Sequence, residues 1–180
     1  METKRLERYL KSFAQTVQKE SRGLLKAKKG DTKLGESIDF TVTKDSNGYS
    51  VKFYMNYYGT YLDKGVSGNQ VKRTFTNYKQ VSESSPYNYT SKGPPVTVLS
   101  KWVKRKGLKP KGFGVGRDKD SGRFISGLAI YISKKIKLRG IPSISFFSKP
   151  FGSNYNKLKE GLLKEFTEDI TTYITTFTKN

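Results

Sequence analysis

Residues 93–151 read GPPVTVLSKWVKRKGLKPKGFGVGRDKDSGRFISGLAIYISKKIKLRGIPSISFFSKPF, and this stretch decides what the rest of the chain must frame. Pro94 and Pro95 suit a helix start, where a missing amide proton costs nothing, and Gly107 with Pro110 beyond it is a stop. Between them Leu99, Trp102 and Val103 share a face, which predicts that the tryptophan packs in the core. Lys101, Lys104, Arg105 and Lys106 crowd the C-terminal end, where the helix dipole favours cations. A second helix follows, because Ile125, Leu128, Ala129, Ile132 and Ile136 recur at spacings of three and four, leaving Ser126, Ser133 and Lys134 outside the stripe. Lys135, Lys137 and Arg139 fill its last turn, Gly140 caps it and Pro142 prevents continuation. In IPSISFFS, residues 141–148, Ile144 and Phe146 alternate with Ser143 and Ser145, predicting a half-buried strand over 143–148 before Pro150 and Phe151 turn into a last helix.

Outward from this centre, Leu6, Leu10, Phe13, Val17 and Leu24, with Tyr9 beside them, predict a helix from Thr3 to Ala27 with one buried face. Two alternating runs, Ile38–Phe40–Val42 and Val51–Phe53–Met55, are joined by DSNG at 45–48 and predict a β-hairpin over 36–56. YYGTYLDKGVSG at 57–68 suggests one helical turn carrying Tyr58, Tyr61 and Leu62 and broken at Gly65. Residues 66–92 lack periodicity and read as a long loop, a feature usually tied to function. Residues 109–122 carry four glycines and read as an exposed arm. The closing helix is expected from Ser153, a candidate N-cap, with Tyr155, Leu158, Leu162, Phe166, Ile170, Tyr173 and Phe177 on one face. The fold class is α+β. A small twisted antiparallel sheet, hairpin 36–56 plus strand 143–148, packs against long N- and C-terminal helices and two central ones, in a single domain over 1–180.

Composition narrows the function. Hydrophobic residues are only 34%, but 23 of 180 are Tyr or Phe, and the area these bury argues against disorder. There is no cysteine and no histidine, which removes disulfides, thiolate zinc sites and Ser-His or Cys-His nucleophiles together. No enzyme activity, cofactor or metal is expected. The charged amino terminus and the lack of a long apolar run predict a soluble protein, made in the cytoplasm and free of the membrane. GFGVG at 112–116 lacks the Lys-Ser/Thr of a phosphate loop, and Asp118 and Asp120 lack the partners of a calcium loop. Glu160, Glu165, Glu168 and Asp169 alternate with lysines as on a solvated helix face.

The net charge of +20 is concentrated, since residues 92–139 hold 14 basic and 2 acidic side chains while 34–91 hold 6 and 5. Such a block points to a polyanionic neighbour. Lys101, Lys104, Arg105, Lys134, Lys135, Lys137 and Arg139 sit near the ends of two helices, and are expected to form one basic surface facing other subunits or DNA. Phe75, Tyr78, Tyr87, Tyr89 and Phe113 are expected to be exposed aromatics among lysines, of the kind used for stacking on single-stranded nucleic acid.

YYGTYLDKGVSG (57–68), SPYNYTSKGPPVTVLSKWVKRKGLK (85–109), GRFISGLAIYISKKI (122–136) and GIPSISFFSKPF (140–151), in this order, resemble the tail-completion or head-tail joining proteins of tailed bacteriophages. The resemblance runs over about residues 36–178. It implies structural roles for Gly59, Asp63, Gly65, Pro94, Pro95, Trp102, Gly140, Pro142, Phe147 and Pro150. It also implies a small α/β module, without enzymatic activity, that assembles in the virion as a ring between the portal-side connector or adaptor and the tail proteins. Six copies are favoured and twelve come next. In that setting the 66–92 loop, with Phe75, Tyr78, Tyr87 and Tyr89, is expected between subunits, and the basic block near genomic DNA in the channel. The alternative is a free nucleic-acid-binding protein that uses the 92–139 block as an electrostatic track.

Overall fold

A computed structural model describes residues 4–46, 48–108, 111–117 and 124–177, with the backbone alone at residues 4, 117, 124, 125 and 172–177. The fold is α+β, with long helices at both ends and small two-stranded sheets. In chain order the elements are α1 (Lys4–Lys29), α2 (Lys33–Ser37), β1 (Asp39–Asp45), β2 (Gly48–Tyr54), α3 (Gly59–Lys64), β3 (Thr74–Thr76) and β4 (Ser82–Ser84). They continue with α4 (Val96–Arg105), β5 (Val115–Arg117), β6 (Phe124–Ser126), α5 (Gly127–Arg139) and α6 (Ser148–Phe177). They divide into two compact units. Unit 1 is Met1–Asp63, Thr76–Glu83 and Ile144–Asn180, and unit 2 is Lys64–Phe75 and Ser84–Ser143. Neither unit is a continuous stretch, so no linker composition marks their division in the sequence.

In unit 1, α1 and α6 run antiparallel: Arg5 meets Glu168 at 2.6 Å, and the Tyr9 hydroxyl donates to Lys157 O at 3.2 Å. Leu6, Leu10, Phe13 and Val17 are buried as expected. The line also includes Ala14 and continues through Ser21 and Leu25, not Leu24, which is exposed. The apolar periodicity picks Leu24 because Ser21 looks polar, yet a small residue at that step is what continues the buried face to Leu25. Leu25, Leu34, Ile38 and Phe146 form the fully enclosed core, with Met55, Leu62, Ile144 and Phe147 packed on it. Full burial of one such side chain contributes about 1.5–3 kcal/mol. Beside it Phe53 meets Phe147 edge-on at 5.4 Å and Phe151 at 6.0 Å, a geometry the ring quadrupoles favour. In the β1–β2 hairpin Asp45 stands opposite Gly48, the register that the DSNG run predicts.

The expected strand over 143–148 does not form, so the β1–β2 hairpin stays a two-stranded sheet. Ile144 N and Ser145 N donate to Leu62 O (2.9 Å) and Asp63 O (3.0 Å) at the end of α3, and Ser145 has φ 49, a left-handed conformation that ends any extended run. The apolar alternation is satisfied differently: Phe146 is buried and Ile144 half-buried in the α3–α6 corner. The last helix begins at Ser148 and not near Ser153, which is exposed within it. Asp63 supplies the cap, its Oδ1 accepting from Phe147 N (2.7 Å) and Ser148 N (3.1 Å) and its Oδ2 from the Ser148 hydroxyl. Pro150 then falls in the first turn, where its missing N–H is harmless. The broad apolar face expected for α6 is also corrected, because Leu162 and Phe166 are exposed while Asn154 and Asp169 are buried. Asn154 bridges Glu20 (2.7 Å) and Pro150 O (2.9 Å), and Asp169 accepts from Leu6 N (3.2 Å). The side chains of Tyr173 and Phe177 lie outside the described residues.

Unit 2 is built on α4 and α5, packed antiparallel. Ser133 Oγ donates to Pro94 O at 2.7 Å, while at the other end Ser126 N donates to Ser100 Oγ at 3.2 Å. The boundaries of α4 agree with the Pro-Pro start and Gly107 stop. α5 starts at Gly127, later than the Ile125 stripe implied, because 124–126 pairs antiparallel with β5, a strand inside the expected arm. Its buried line is Ala129–Ser133, with Leu128, Ile132 and Ile136 half-buried, so Ser133 is inside, contrary to expectation. A small side chain at Ser133 admits the chain before α4, since a Cβ on Gly93 would already stand 3.2 Å from Ser133 Oγ. The Ile125 side chain lies outside the described residues.

Trp102 is corrected too: Val103 is buried and Leu99 half-buried, but Trp102 is 37% exposed. Trp102→Ala is therefore expected to cost about 1–2 kcal/mol in urea unfolding, below the roughly 3–5 kcal/mol of a core tryptophan. A loss in the full core range contradicts this placement.

Candidate functional site

The candidate site is the surface of unit 2, and its distinguishing property is uncompensated charge. Lys64–Phe75 and Ser84–Ser143 hold 17 basic and 2 acidic side chains, a net +15 of the chain's +20. The two acids, Asp118 and Asp120, lie outside the described residues, so the described part of unit 2 contains no carboxylate. The described ion pairs all lie in unit 1. Glu7 illustrates the contrast: its hydrogen bond and pairing with Lys11 hold its carboxyl below the usual range.

Some cations of unit 2 are tied to its own backbone. Arg73 Nε donates to Arg139 O at 2.9 Å, at the negative end of α5, and Lys137 Nζ donates to Ser91 O at 2.6 Å. Lys64 lies over Phe75 at 5.5 Å and Lys135 over Tyr131 at 5.4 Å. Lys101, Lys104, Arg105, Lys134 and Arg139 have exposed side chains. The seven expected residues do not gather where two helix ends meet. Antiparallel packing sets Lys101, Lys104 and Arg105 beside the start of α5, and Lys137 and Arg139 beside the start of α4, about 15 Å away along a ten-residue helix. The basic residues thus span the length of the helix pair. Sequence reading missed Lys64, Lys72 and Arg73, which join this unit only through the fold.

The 66–92 segment is folded rather than a free loop. Ser67 N donates to Tyr87 O (2.8 Å) and Tyr89 N to Ser67 O (2.9 Å), and β3 pairs with β4. Phe75 is buried, against the expectation of exposure, while Tyr87 and Tyr89 are half-buried; burial pushes the Tyr89 hydroxyl up. Tyr78 is exposed, but it belongs to unit 1, where Gln80 Nε2 donates to Lys149 O at 3.0 Å. Within unit 2, the buried Phe75 and half-buried Tyr87 and Tyr89 therefore present no fully exposed ring for stacking. Phe113, exposed, lies 5.4 Å from Tyr131.

The residues implied by the resemblance hold backbone in place. Gly59 is buried where a Cβ would press on Met55 Sδ at 2.7 Å, and Asp63 caps α6. Gly65, at φ 71, leaves room for Ile141 O, and Gly140, at φ 69, for Gly68 N. Pro95 is the N-cap of α4, Pro94 O receives Ser133, Phe147 is in the Phe53 cluster, Pro150 is buried and Pro142 exposed. Among the described residues no group of three or more His, Cys, Asp or Glu could hold a metal, and no helix is long and apolar enough to cross a membrane. The arrangement suits binding a polyanion. Compared with known proteins, the chain matches no family model, no curated protein and no solved structure.

Proposed function

We propose that this chain is a structural virion protein, a ring subunit at the neck or tail top of a tailed bacteriophage that joins the connector to the tail, with its basic unit turned toward DNA. The observation that carries the reading is that motif passages distant in sequence act together. Asp63 of the Tyr-rich passage caps the helix at Phe147–Ser148, and Gly65 lies against Ile141 and Ser143. Residues that work as one construction support a resemblance better than scattered matches do. Ring subunits contact each other through unlike patches, and closure fixes the number, six here with twelve next. The uncompensated +15 of unit 2 supports a polyanion as neighbour. It also favours the second reading, a free nucleic-acid-binding protein, but burial of Phe75 and half-burial of Tyr87 and Tyr89 count against the stacking that reading wants.

The test is reversal of Lys101, Lys104, Arg105 and Lys134 to Glu. Thermal stability should hardly move, because exposed charges contribute little. Particles assembled with the variant should lose joined tails or packaged DNA, and normal infectious particles would refute the proposal. In a DNA titration the free-binder reading predicts a salt slope reduced by about 0.9 for each phosphate that the variant no longer neutralises, with tail joining intact.

A further inference from the structure

A groove of about 670 Å³ runs between α1, α6 and the tip of the β1–β2 hairpin, all within unit 1. Its floor is Leu6 and Leu10, and α6 contributes Leu158, Leu162, Leu163 and Phe166. The last three remain 38%, 72% and 43% exposed, an apolar strip on a helix otherwise rich in charge. Contiguous exposed apolar surface of this kind marks an interaction site.

We infer that this groove receives an amphipathic helix with acidic flanks from a partner protein. The shape argues for a helix: Leu158, Leu162 and Phe166 recur every fourth residue, as do Leu6 and Leu10, so two antiparallel helices offer parallel ridges with a furrow between them. From 158 to 166 the furrow is about 12 Å long, room for roughly two turns. The charge argues for acidic flanks, because two of the three walls carry a lysine steadied on a tyrosine. Lys44 Nζ lies 5.6 Å from the centre of Tyr49, and Lys159 Nζ 4.8 Å from that of Tyr155. Asp45 is the only carboxylate among the described lining residues. A second copy is the poorer occupant, since a self-complementary contact would set the rim lysines of one groove, Lys44 and Lys159, against the same lysines of the other. The inference stands apart from the ring proposal and does not depend on it.

The probes are labelled synthetic peptides of about four turns, with leucines at i, i+4 and i+7 flanked by Glu, the same leucines flanked by Lys, and the Glu-flanked peptide with Leu replaced by Ser. Anisotropy titrations use the full chain. The Glu-flanked leucine peptide should bind at least about tenfold tighter than either control. Leu163→Glu, at a position too exposed to disturb folding, should abolish the preference with an unchanged melting curve, and Lys44→Gln with Lys159→Gln should weaken binding and flatten its salt dependence. Equal binding of the Glu- and Lys-flanked leucine peptides, full binding by the serine peptide, or no binding of any overturns the inference. So does a self-associated wild type that Leu163→Glu converts to monomer, which would assign the groove to a second copy.

Discussion

Asp63→Ala is expected to lower unfolding stability by about 2–4 kcal/mol, among the largest effects of any single polar substitution in this chain. The carboxylate is buried, and it accepts from two backbone amides and one hydroxyl at the start of a 30-residue helix. Those amides have no intrahelical acceptor, and water cannot easily replace the carboxylate in the Phe146 corner. The negative charge also sits at the positive end of the helix dipole. Asp63→Asn keeps an oxygen for Phe147 N and Ser148 N and offers an amide to the Ser148 hydroxyl, so it should cost only about 1 kcal/mol. Urea unfolding of both variants checks the pair. Equal losses would mean that charge, not hydrogen bonding, dominates the cap.

Gly140→Ala is expected to cost about 3–5 kcal/mol and to act on unit 2. Gly140 sits at φ 69 and ψ −169, a region open essentially to glycine alone. A Cβ there would collide with Val66 O and stand 2.6 Å from Gly68 N. These atoms belong to a tight backbone seam, in which Val66 N bonds Ile141 O at 2.9 Å, Ile141 N bonds Val66 O at 2.8 Å and Gln70 N bonds Leu138 O at 2.9 Å. The added carbon must part the seam or the helix end must unwind. Gly23→Ala is the control: nothing lies within 4 Å of its Cβ in mid-α1, so it should gain about 0.5–1 kcal/mol from helix propensity. Denaturation curves that leave Gly140→Ala as stable as wild type contradict this account of the seam.

What could be read from sequence follows the range of each signal. The hairpin turn at 45–48, the Pro-Pro start of α4 and the Gly140 stop of α5 are local, and the structure has all three. The start of α6 was not legible, because its cap comes from Asp63, 85 residues before Ser148, while a local search finds only Ser153. IPSISFFS alternates like a strand, yet it lies against the end of α3 and contains a left-handed Ser145, neither visible in a two-residue period. Polar letters misled at Ser21 and Ser133, which are buried because small side chains suit close helix contacts. The charge block was legible as a total. Its extension to Lys64, Lys72 and Arg73, and its spread along the helix pair, depend on a chain path that enters unit 2 twice. The groove on α6 stayed hidden because Leu162 and Phe166 have the period of core residues whether or not anything covers them.

The most direct measurement of the ring proposal is electron microscopy of the virion, or of the purified chain, at a resolution that resolves subunits. The proposal predicts a closed ring of six copies, or twelve, at the junction of connector and tail, with unit 2 lining the passage for DNA. A chain that stays monomeric and dispersed at every concentration, and is missing from disrupted particles, would contradict it.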